Sequence, residues 1–506
     1  MRHFSYLIAL LGLYMLPLLT AAQTQEDISD DIIATYSEMI AAKPQSADLY
    51  VSRATEYISR GLLMPAAEDL RTALKVCNKS DKPLMFEILV RLADIEEQQF
   101  DYASALSRLN QAVELYPEVP SVINSRAKLE TTMGNYDAAR TDYMRLRKLN
   151  PRNITPFFGL AKLAALQNDS ETAHSYINQA YGLMPNASAT YIGHGEVLEI
   201  LGRKNEAIAQ YINALATGDA ESGNALHKIE TLSQENFPEV KEAFDKAIQK
   251  APTAGMLYYF RGALSQAHNR HTEALRDFNH INNSGPFAGG ALNETIAESL
   301  IALNRPAEAK ELLNTTSPRF RDAVWHNTMS QAMLDLNMAD SAVVETDKAL
   351  QLSPNMADAM ISRSRALIAL GDKPGAQAAI SEAILTNPNI PEAYFIKASL
   401  MANPESTLRE LLELDYSPTD PSSLRGFALL ALKQEAQADG WIGGITLHGN
   451  DSDGSASYIA ACYYAQRGDK DKSAKFLERA KAAGYDNPRS ITTDTTPYIS
   501  LNNTAN

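Results

Sequence analysis

Apolar and small residues recur along most of the chain with the spacing of three to four residues that is typical of amphipathic helices. In the segment 123–151, one such run is interrupted at Gly134 and a second run ends before Pro151. Glycine readily adopts the left-handed turn that ends a helix, and proline cannot continue a helix. The segment therefore predicts two short helices joined by a tight turn. Ala127 and Ala139 lie where these helices are expected to cross, because only small side chains allow close approach there.

Prolines show that this helical hairpin is repeated. They are evenly spaced within three sets, at positions 117, 151 and 185, at 252 and 286, and at 354 and 388. A fixed period of about 34 residues is the signature of a solenoid. We therefore predict an all-α fold, an α-solenoid of about thirteen helix-turn-helix repeats.

The regularity of the pattern varies along the chain and predicts its organisation. We expect a signal peptide at 1–22, an N-terminal capping helix at 27–46, a regular array at 47–220, a degenerate repeat at 221–253, a second array at 254–420, atypical repeats at 421–487 and an extended tail at 488–506. The degenerate repeat lacks a small residue at its crossing, so we expect a change of superhelical pitch or a mild hinge there. Gly440, Gly443 and Gly444 fall within an expected second helix. Since each glycine costs about 1 kcal/mol in a helix, we expect a frayed helix there.

The small and aromatic positions carry a resemblance to a known family. One unit supplies Phe157, Leu160, Ala161, Ala173, Ile177, Ala180 and Pro185, and the next supplies Tyr191, Gly195, Gly202, Ala207, Tyr211 and Ala214. In this order the chain resembles the tetratricopeptide repeat family over nearly all of 47–486. The resemblance implies a right-handed superhelix whose first helices line a concave groove, and it implies that the groove binds peptides or protein segments.

The same resemblance implies which side chains face the groove. These candidates are Arg91, Asn124, Lys128, Phe158, Lys162, Tyr259, Phe260, Arg365 and Phe395. The structural alternative is that the aromatic residues pack against neighbouring repeats and that the lysines are solvated. Lys128 and Lys162, one repeat apart, favour an acidic partner segment.

The N-terminus has the pattern of a targeting segment. Arg2 precedes an apolar run from Phe4 to Leu19, and small residues follow before Gln23. This is typical of a cleaved secretory signal peptide, and an uncleaved anchor is the alternative. The apolar run is short for a membrane span, which needs about 20 residues. Its ending resembles signal peptides of Gram-negative bacteria of the Bacteroides type, and this resemblance implies an exported, periplasmic protein.

The two cysteines, Cys77 and Cys462, lie in the first and last repeats. A disulfide requires Cα atoms within about 7 Å. We therefore predict two buried, unpaired thiols.

Charge and motifs exclude several function classes. The net charge of -15 gives no basic footprint for nucleic acid. Motifs of phosphate-binding loops, serine hydrolases and zinc proteases are absent from the sequence. Since repeats fill most of the chain, we predict no enzyme and no cofactor.

Two polar clusters contain residue types that can bind a metal ion. His268, His271 and His280 surround one turn and could bind a transition metal, but we interpret them as ordinary surface histidines. Asp451 and Gly454 resemble part of a calcium loop. That loop lacks its bidentate glutamate, so we interpret it as a polar turn that caps the next helix.

The leading hypothesis is an exported scaffold that binds a protein or peptide partner and has no stable membrane span after signal cleavage. The alternative from another class is a periplasmic binding protein for a non-protein ligand such as a cell-wall polysaccharide. A third hypothesis is a metal-dependent enzyme that uses the histidine cluster.

Overall fold

The computed structural model describes residues 22–281, 287, 290, 292–417, 420–447, 451 and 454–486. The predicted tail, and all but the last residue of the predicted signal peptide, lie outside these described residues. Across them the fold is all-α, with helices and short 3-10 turns and no strand. The all-α helical repeat fold predicted from the sequence is thus confirmed.

The described residues divide after Ala225 into two compact units. The helices that lie within the N-terminal unit are α1 (Ala22–Ala42), α2 (Ala47–Ser59), α3 (Leu63–Val76), α4 (Lys82–Gln98), α5 (Tyr102–Leu115), α6 (Pro120–Thr132), α7 (Tyr136–Leu149), α8 (Thr155–Leu166), α9 (Ser170–Leu183), α10 (Ser188–Ile200) and α11 (Lys204–Thr217).

Helix α12 (Ser222–Lys250) contains the division and lies in the segment predicted as a degenerate repeat. Its backbone is non-helical at Asn236, where φ is -153° and ψ is 81°. Pro238 follows two positions later, in the first turn of the second helical stretch, where a proline is tolerated because its missing N–H has no partner in the helix. The break therefore separates two helical stretches without the glycine turn that the regular repeats use.

The C-terminal unit continues with the same hairpin order. Its further helices are α13 (Gly255–Ala267), α14 (His271–Phe278), α15 (Asn293–Ala302), α16 (Pro306–Asn314), α17 (Ala323–Asp335), α18 (Ala339–Leu352), α19 (Ala357–Ala369), α20 (Lys373–Thr386), α21 (Pro391–Ser399), α22 (Glu405–Glu413), α23 (Arg425–Ala431), α24 (Glu435–Leu447), α25 (Ser455–Gln466) and α26 (Lys470–Ala482).

Left-handed residues close the hairpin turns, as the sequence predicts. Gly134 has a φ of 81° between α6 and α7. Asparagine takes this place in other hairpins, for example Asn168 with a φ of 60°. Asparagine is among the few other residues that visit this conformation routinely, because its side chain can hydrogen-bond locally.

Small residues at the helix crossings let aromatic rings pack directly onto a neighbouring backbone. Ala127 and Ala139 are fully buried, as predicted. A Cβ atom added at Gly195 would lie 2.5 Å from Cε1 of Tyr211. One added at Gly159 would lie 2.4 Å from Cε1 of Tyr143. Each contact is closer than real Cβ atoms show, so these crossings require glycine.

The expectation of a frayed helix around Gly440 is wrong. Helix α24 runs through all three glycines without a break. Trp441, Ile442 and Ile445 on its other face are buried in a cluster with neighbouring repeats. Burial of large apolar side chains contributes about 1.5–3 kcal/mol each, which outweighs the glycine cost. Cβ atoms added at the glycines would meet no atom within 4 Å.

Partly buried arginines join the helices of adjacent repeats. Arg126 of α6 donates from Nε and Nη2 to both carboxylate oxygens of Asp142 on α7, at 2.7 Å each, and from Nη1 to Asn110 Oδ1 on α5, at 3.0 Å. We call residues with this pattern bridging arginines, and they are Arg53 with Asp69 and Ser37, Arg126 with Asp142 and Asn110, and Arg261 with Asp277 and Asp245. The acceptors lie 16 residues before and after each arginine.

The C-terminal unit closes on itself. The carboxylate of Asp486 accepts hydrogen bonds from the backbone N–H groups of His271 and Thr272, both at 2.6 Å. Arg270 donates from Nη2 to the backbone carbonyl of Ala483, which lies 213 residues later in the sequence. We call this contact the terminal clasp. It places the end of the last repeat against the start of α14.

The two cysteines are as predicted from the sequence. Cys77 and Cys462 are both buried, and neither forms a disulfide. Burial raises the pKa of the Cys77 thiol. Each thiol therefore contributes to the core as a small apolar group.

Candidate functional site: a charged row on first helices

Charged side chains occupy the same place in four successive repeats of the N-terminal unit. Lys162 on α8 and Glu196 on α10 are 34 residues apart. Lys128 on α6 and Asp94 on α4 precede Lys162 at the same interval. We call these four residues the charged row. The side chains change from acidic to basic and back to acidic, so the net formal charge of the row is zero.

The two lysines of the row have different environments. Lys162 Nζ lies 2.6 Å from Glu196 Oε2, and the two side chains are 33% and 31% exposed. Lys128 is exposed and forms no ion pair within the part of the chain that the structure describes. Because its charge is not compensated by a direct partner, Lys128 is the stronger candidate for contact with an acidic group.

An unpaired acceptor lies one helical turn from Lys128. Asn124 precedes it by four positions on α6, so the two side chains share a helix face. The Asn124 Oδ1 atom is buried and has no hydrogen-bond partner among the described residues. Buried polar atoms in folded proteins are nearly always paired. The exposed Lys128 ammonium can bind a carboxylate, and Asn124 Oδ1 can accept a peptide N–H once its side chain turns outward.

The aromatic candidates lie in the interior. Phe158 is 6% exposed, and a Cβ atom added at Gly193 of the next first helix would lie 2.5 Å from its ring. Phe260 and Phe395 are also buried, at 2% and 0% exposure. Their rings fill space between helices, which is the structural alternative weighed for them from the sequence.

Tyr259 has the same role in the C-terminal unit. Its ring lies 5.2 Å from that of Phe287 and 6.3 Å from that of Phe278, measured between centroids. Burial, with Glu298 and Glu294 nearby, raises the pKa of its hydroxyl. Tyr259 therefore stays neutral and belongs to the packed interior.

The remaining arginine candidates are partly exposed and paired. Arg91 Nη2 lies 2.9 Å from Glu87 Oε1 across one turn of α4. Arg365 of α19 forms an ion pair with Glu392 of α21. Exposed pairs of this kind contribute little to stability. Both guanidinium groups could exchange their partner for another carboxylate.

Sequence reasoning missed the acidic member that pairs with Lys162. Glu196 follows Lys162 at the same interval by which Lys162 follows Lys128. The signal was therefore present in the same periodicity that identified the lysines, and it would have separated the paired lysine from the unpaired one.

Comparisons with known proteins find structural relatives only. No protein-family model and no curated protein matches the chain. Similar solved structures include a tetratricopeptide repeat protein from Parabacteroides merdae, at 16% identity and a TM-score of 0.30, over 64% of this chain and 99% of that one. Yeast Tom70 matches at 14% identity and a TM-score of 0.35, over 81% of this chain and 98% of that one. YrrB is described as a tetratricopeptide repeat protein with an unusual peptide-binding site. It matches at 14% identity and a TM-score of 0.28, over 38% of this chain and 97% of that one.

Because these TM-scores are below 0.5, the fold assignment rests on the chain itself. Periodic helical hairpins, left-handed turns and small residues under aromatic rings recur in both units. Across the described residues the chain folds as an all-α array of helical hairpins. The charged row is thus a feature of the first helices of this array.

The histidines of the array were predicted to be ordinary surface residues, and this is wrong for two of them. His268 and His271 are both 8% exposed. The His268 ring lies 4.4 Å from that of Phe237, whereas His280 stacks on Tyr258 at 4.9 Å. Within the described residues, no group of three metal-ligating side chains could hold an ion.

The polar turn before α25 has the capping role expected from the sequence. Asp451 Oδ1 accepts a hydrogen bond from the Ser457 backbone N–H at 3.0 Å, and Asp451 Oδ2 accepts one from the Ser457 hydroxyl. Gly454 begins the helix with a φ of 79°. The carboxylate therefore satisfies a backbone donor in the first turn of α25.

Among the described helices, none combines the length and apolar character needed to cross a membrane.

Proposed function

We propose that the protein is an exported scaffold whose N-terminal array binds an extended acidic segment of a partner protein along the charged row. The observation that carries the proposal is the pair on α6, where the exposed Lys128 lies one turn from the unpaired Asn124 Oδ1. Lys128 binds a partner carboxylate, and the Asn124 side chain, whose Oδ1 is covered in the unbound chain, turns outward to accept a hydrogen bond from a partner backbone N–H.

The charges around the pair define the partner. Glu196 neutralises Lys162 at one end of the row, and Asp94 lies at the other. The favourable field for an acidic group is therefore local to Lys128. A single carboxylate flanked by uncharged residues fits this row better than a polyacidic run, because a run would place further negative charge near Asp94 and Glu196.

The polysaccharide alternative rests on exposed aromatic rings in the groove. The four aromatic candidates are buried. No observation in the described residues favours that ligand, and we propose neither it nor a catalytic function.

A peptide-binding experiment tests the proposed site. Fluorescently labelled peptides with one central Glu, and matched peptides with Gln, are titrated with the protein and followed by anisotropy. We expect the Glu peptides to bind about tenfold more tightly, since a charged contact of about 1.4 kcal/mol corresponds to tenfold.

Matched variants locate the binding site. Lys128→Glu should abolish the preference for the Glu peptide over the Gln peptide. Asn124→Ala should weaken the binding of both peptides. Lys148→Glu makes the same charge change at an exposed position of second helix α7 and should leave binding unchanged. Equal binding by the Lys128→Glu and Lys148→Glu variants would remove the charged row as the site.

Export has its own test. The chain is expressed with its N-terminus intact in a Gram-negative host, and the product is fractionated and sequenced from its N-terminus. A periplasmic product that begins at Gln23 is expected. A cytoplasmic product that retains residues 1–22 would contradict export, and a membrane-bound one that retains them would indicate an anchor.

A further inference from the structure

One arginine of the C-terminal unit occupies the place of a bridging arginine but lacks its main partner. Arg363 lies three repeat periods after Arg261. Each bridging arginine meets an aspartate 16 residues later, as Arg261 meets Asp277. The corresponding position after Arg363 is occupied by Ala379. Position 379 therefore supplies no carboxylate to Arg363.

The guanidinium of Arg363 is incompletely paired as a result. Its Nε donates to Asp347 Oδ1 at 2.7 Å, and its Nη1 and Nη2 have no hydrogen-bond partner among the described residues. The side chain is 33% exposed, compared with 16% for Arg261 and 19% for Arg126. Two donors of the guanidinium are thus left without a protein acceptor, near the position at which the repeats with bridging arginines supply an aspartate.

A cavity of about 360 Å³ lies at this place. It is lined by Arg363, by Ala379, and by the apolar side chains Leu350 and Met360. Asp347, Gln351 and Glu382 complete the lining. We call it the Arg363 cavity. It lies between the second helices α18 and α20, with α19 contributing the arginine.

We propose that the Arg363 cavity binds a carboxylate group of a partner molecule. The carboxylate lies beside Ala379, where the repeats with bridging arginines have an aspartate, and it accepts hydrogen bonds from Nη1 and Nη2 of Arg363. A planar guanidinium matches a carboxylate with two parallel hydrogen bonds.

The acidic residues nearby are compatible with this ligand. Arg261 binds two carboxylates at once, those of Asp245 and Asp277. A ligand carboxylate beside Asp347 likewise gives Arg363 two carboxylate partners, with Asp347 on Nε and the ligand on Nη1 and Nη2. Glu382 is exposed, so its repulsion is screened by solvent and salt.

The apolar part of the cavity narrows the ligand class. Leu350 and Met360 provide surface for methylene groups next to the carboxylate. A glutamate side chain has this form, and so does the terminal carboxylate of a chain that ends in an apolar residue. Both sources share the chemistry of a carboxylate on a short apolar stem.

Methyl NMR of the full chain tests the proposal directly. The methionines are labelled with 13C at the methyl group, and Met360 reports from the cavity wall. Two probes are titrated at constant ionic strength, N-acetyl-glutamic acid α-amide for the side-chain source and N-acetyl-methionine for the chain terminus. N-acetyl-glutamine α-amide serves as the uncharged control. A saturable shift of the Met360 methyl with either acid, and none with the amide, is expected.

Three variants establish the site. Ala379→Asp supplies the missing carboxylate from the chain, so binding should weaken at least tenfold. Ala378→Asp makes the same change at the neighbouring exposed position and should bind as the unmodified protein does. Arg363→Gln removes the guanidinium at a partly exposed position and should also lose binding.

The outcomes separate cleanly. Binding of only one acid identifies the source of the carboxylate, and binding of both supports the shared chemistry. No saturable shift with either acid, or equal binding by Arg363→Gln, overturns the proposal. The role of the charged row is independent of either result, because that row belongs to the N-terminal unit.

Discussion

The terminal clasp predicts that a change at Asp486 destabilises a helix that begins 215 residues earlier in the sequence. Helix α14 begins at His271, and its N-cap residue Arg270 provides no side-chain cap. The carboxylate of Asp486 takes that role, since it accepts from the backbone N–H groups of His271 and Thr272 at 2.6 Å. Asp486→Ala removes both hydrogen bonds and the charge.

The magnitude follows from these contacts. Loss of a helix N-cap costs about 0.5–2 kcal/mol. A negative charge at a helix N-terminus contributes a further ~0.3–1 kcal/mol. We therefore expect Asp486→Ala to lower the free energy of local opening of α14 by about 1–3 kcal/mol. Asp486→Asn keeps an acceptor oxygen, so it should lower the free energy of local opening of α14 by less than Asp486→Ala does.

Hydrogen exchange followed by mass spectrometry measures this effect. A loss of about 1.4 kcal/mol corresponds to tenfold faster exchange, so peptides that cover α14 should exchange roughly tenfold faster in Asp486→Ala. Glu478→Ala, at an exposed position of α26, is the matched control. If α14 exchanges equally fast in Asp486→Ala and Glu478→Ala, the clasp does not stabilise the helix and the reasoning is refuted.

Two further predictions concern glycines and a partly buried carboxyl. Gly262→Ala would place a Cβ atom 2.6 Å from Phe278 Cε1 and should cost about 1–3 kcal/mol. Gly443→Ala, in open space on α24, should raise the free energy of unfolding by about 0.5–1 kcal/mol. Urea unfolding that finds Gly262→Ala more stable than Gly443→Ala would contradict the packing argument. Burial, and then Asp322 and Glu298, raise the pKa of Glu294 to about 8. Since this pKa lies above the unfolded value, the contribution of Glu294 is complete at acid pH and is lost as pH rises toward 8. Tm measured against pH should therefore fall less steeply between pH 5 and 8 in Glu294→Gln, and an unchanged slope would show that Glu294 is not responsible.

The repeat architecture could be read from the sequence because its causes are local. Regularly spaced prolines, a glycine turn such as Gly134, and small residues such as Ala127 and Ala139 each act within one hairpin. The unbroken helix α24 could not be read in this way. Glycine propensity is visible in the sequence, but the burial of Trp441 and Ile442 depends on contacts with other repeats.

The candidate site was only partly predictable for the same reason. Lys128 and Asn124 could be placed on a first helix from their position in the repeat. The burial of Phe158 could not, because it depends on Gly193 in the following repeat. The missing partner of Arg363 was encoded as a break in the regular spacing of arginine and aspartate. The contact of Asp486 with α14 has no local signal at all.

Closure of the C-terminal unit also affects how it resists proteases. An open repeat array frays from its ends, because a terminal repeat has a neighbour on one side only. Here Ala483 and Asp486 give the last repeat a second neighbour through Arg270 and the start of α14. Fraying of the last repeat is therefore suppressed, so a protease cannot shorten the unit repeat by repeat from that end. Cleavage instead requires the rarer unfolding of a larger part of the unit. Degradation would then lack the ladder of progressively shortened fragments that an open array produces.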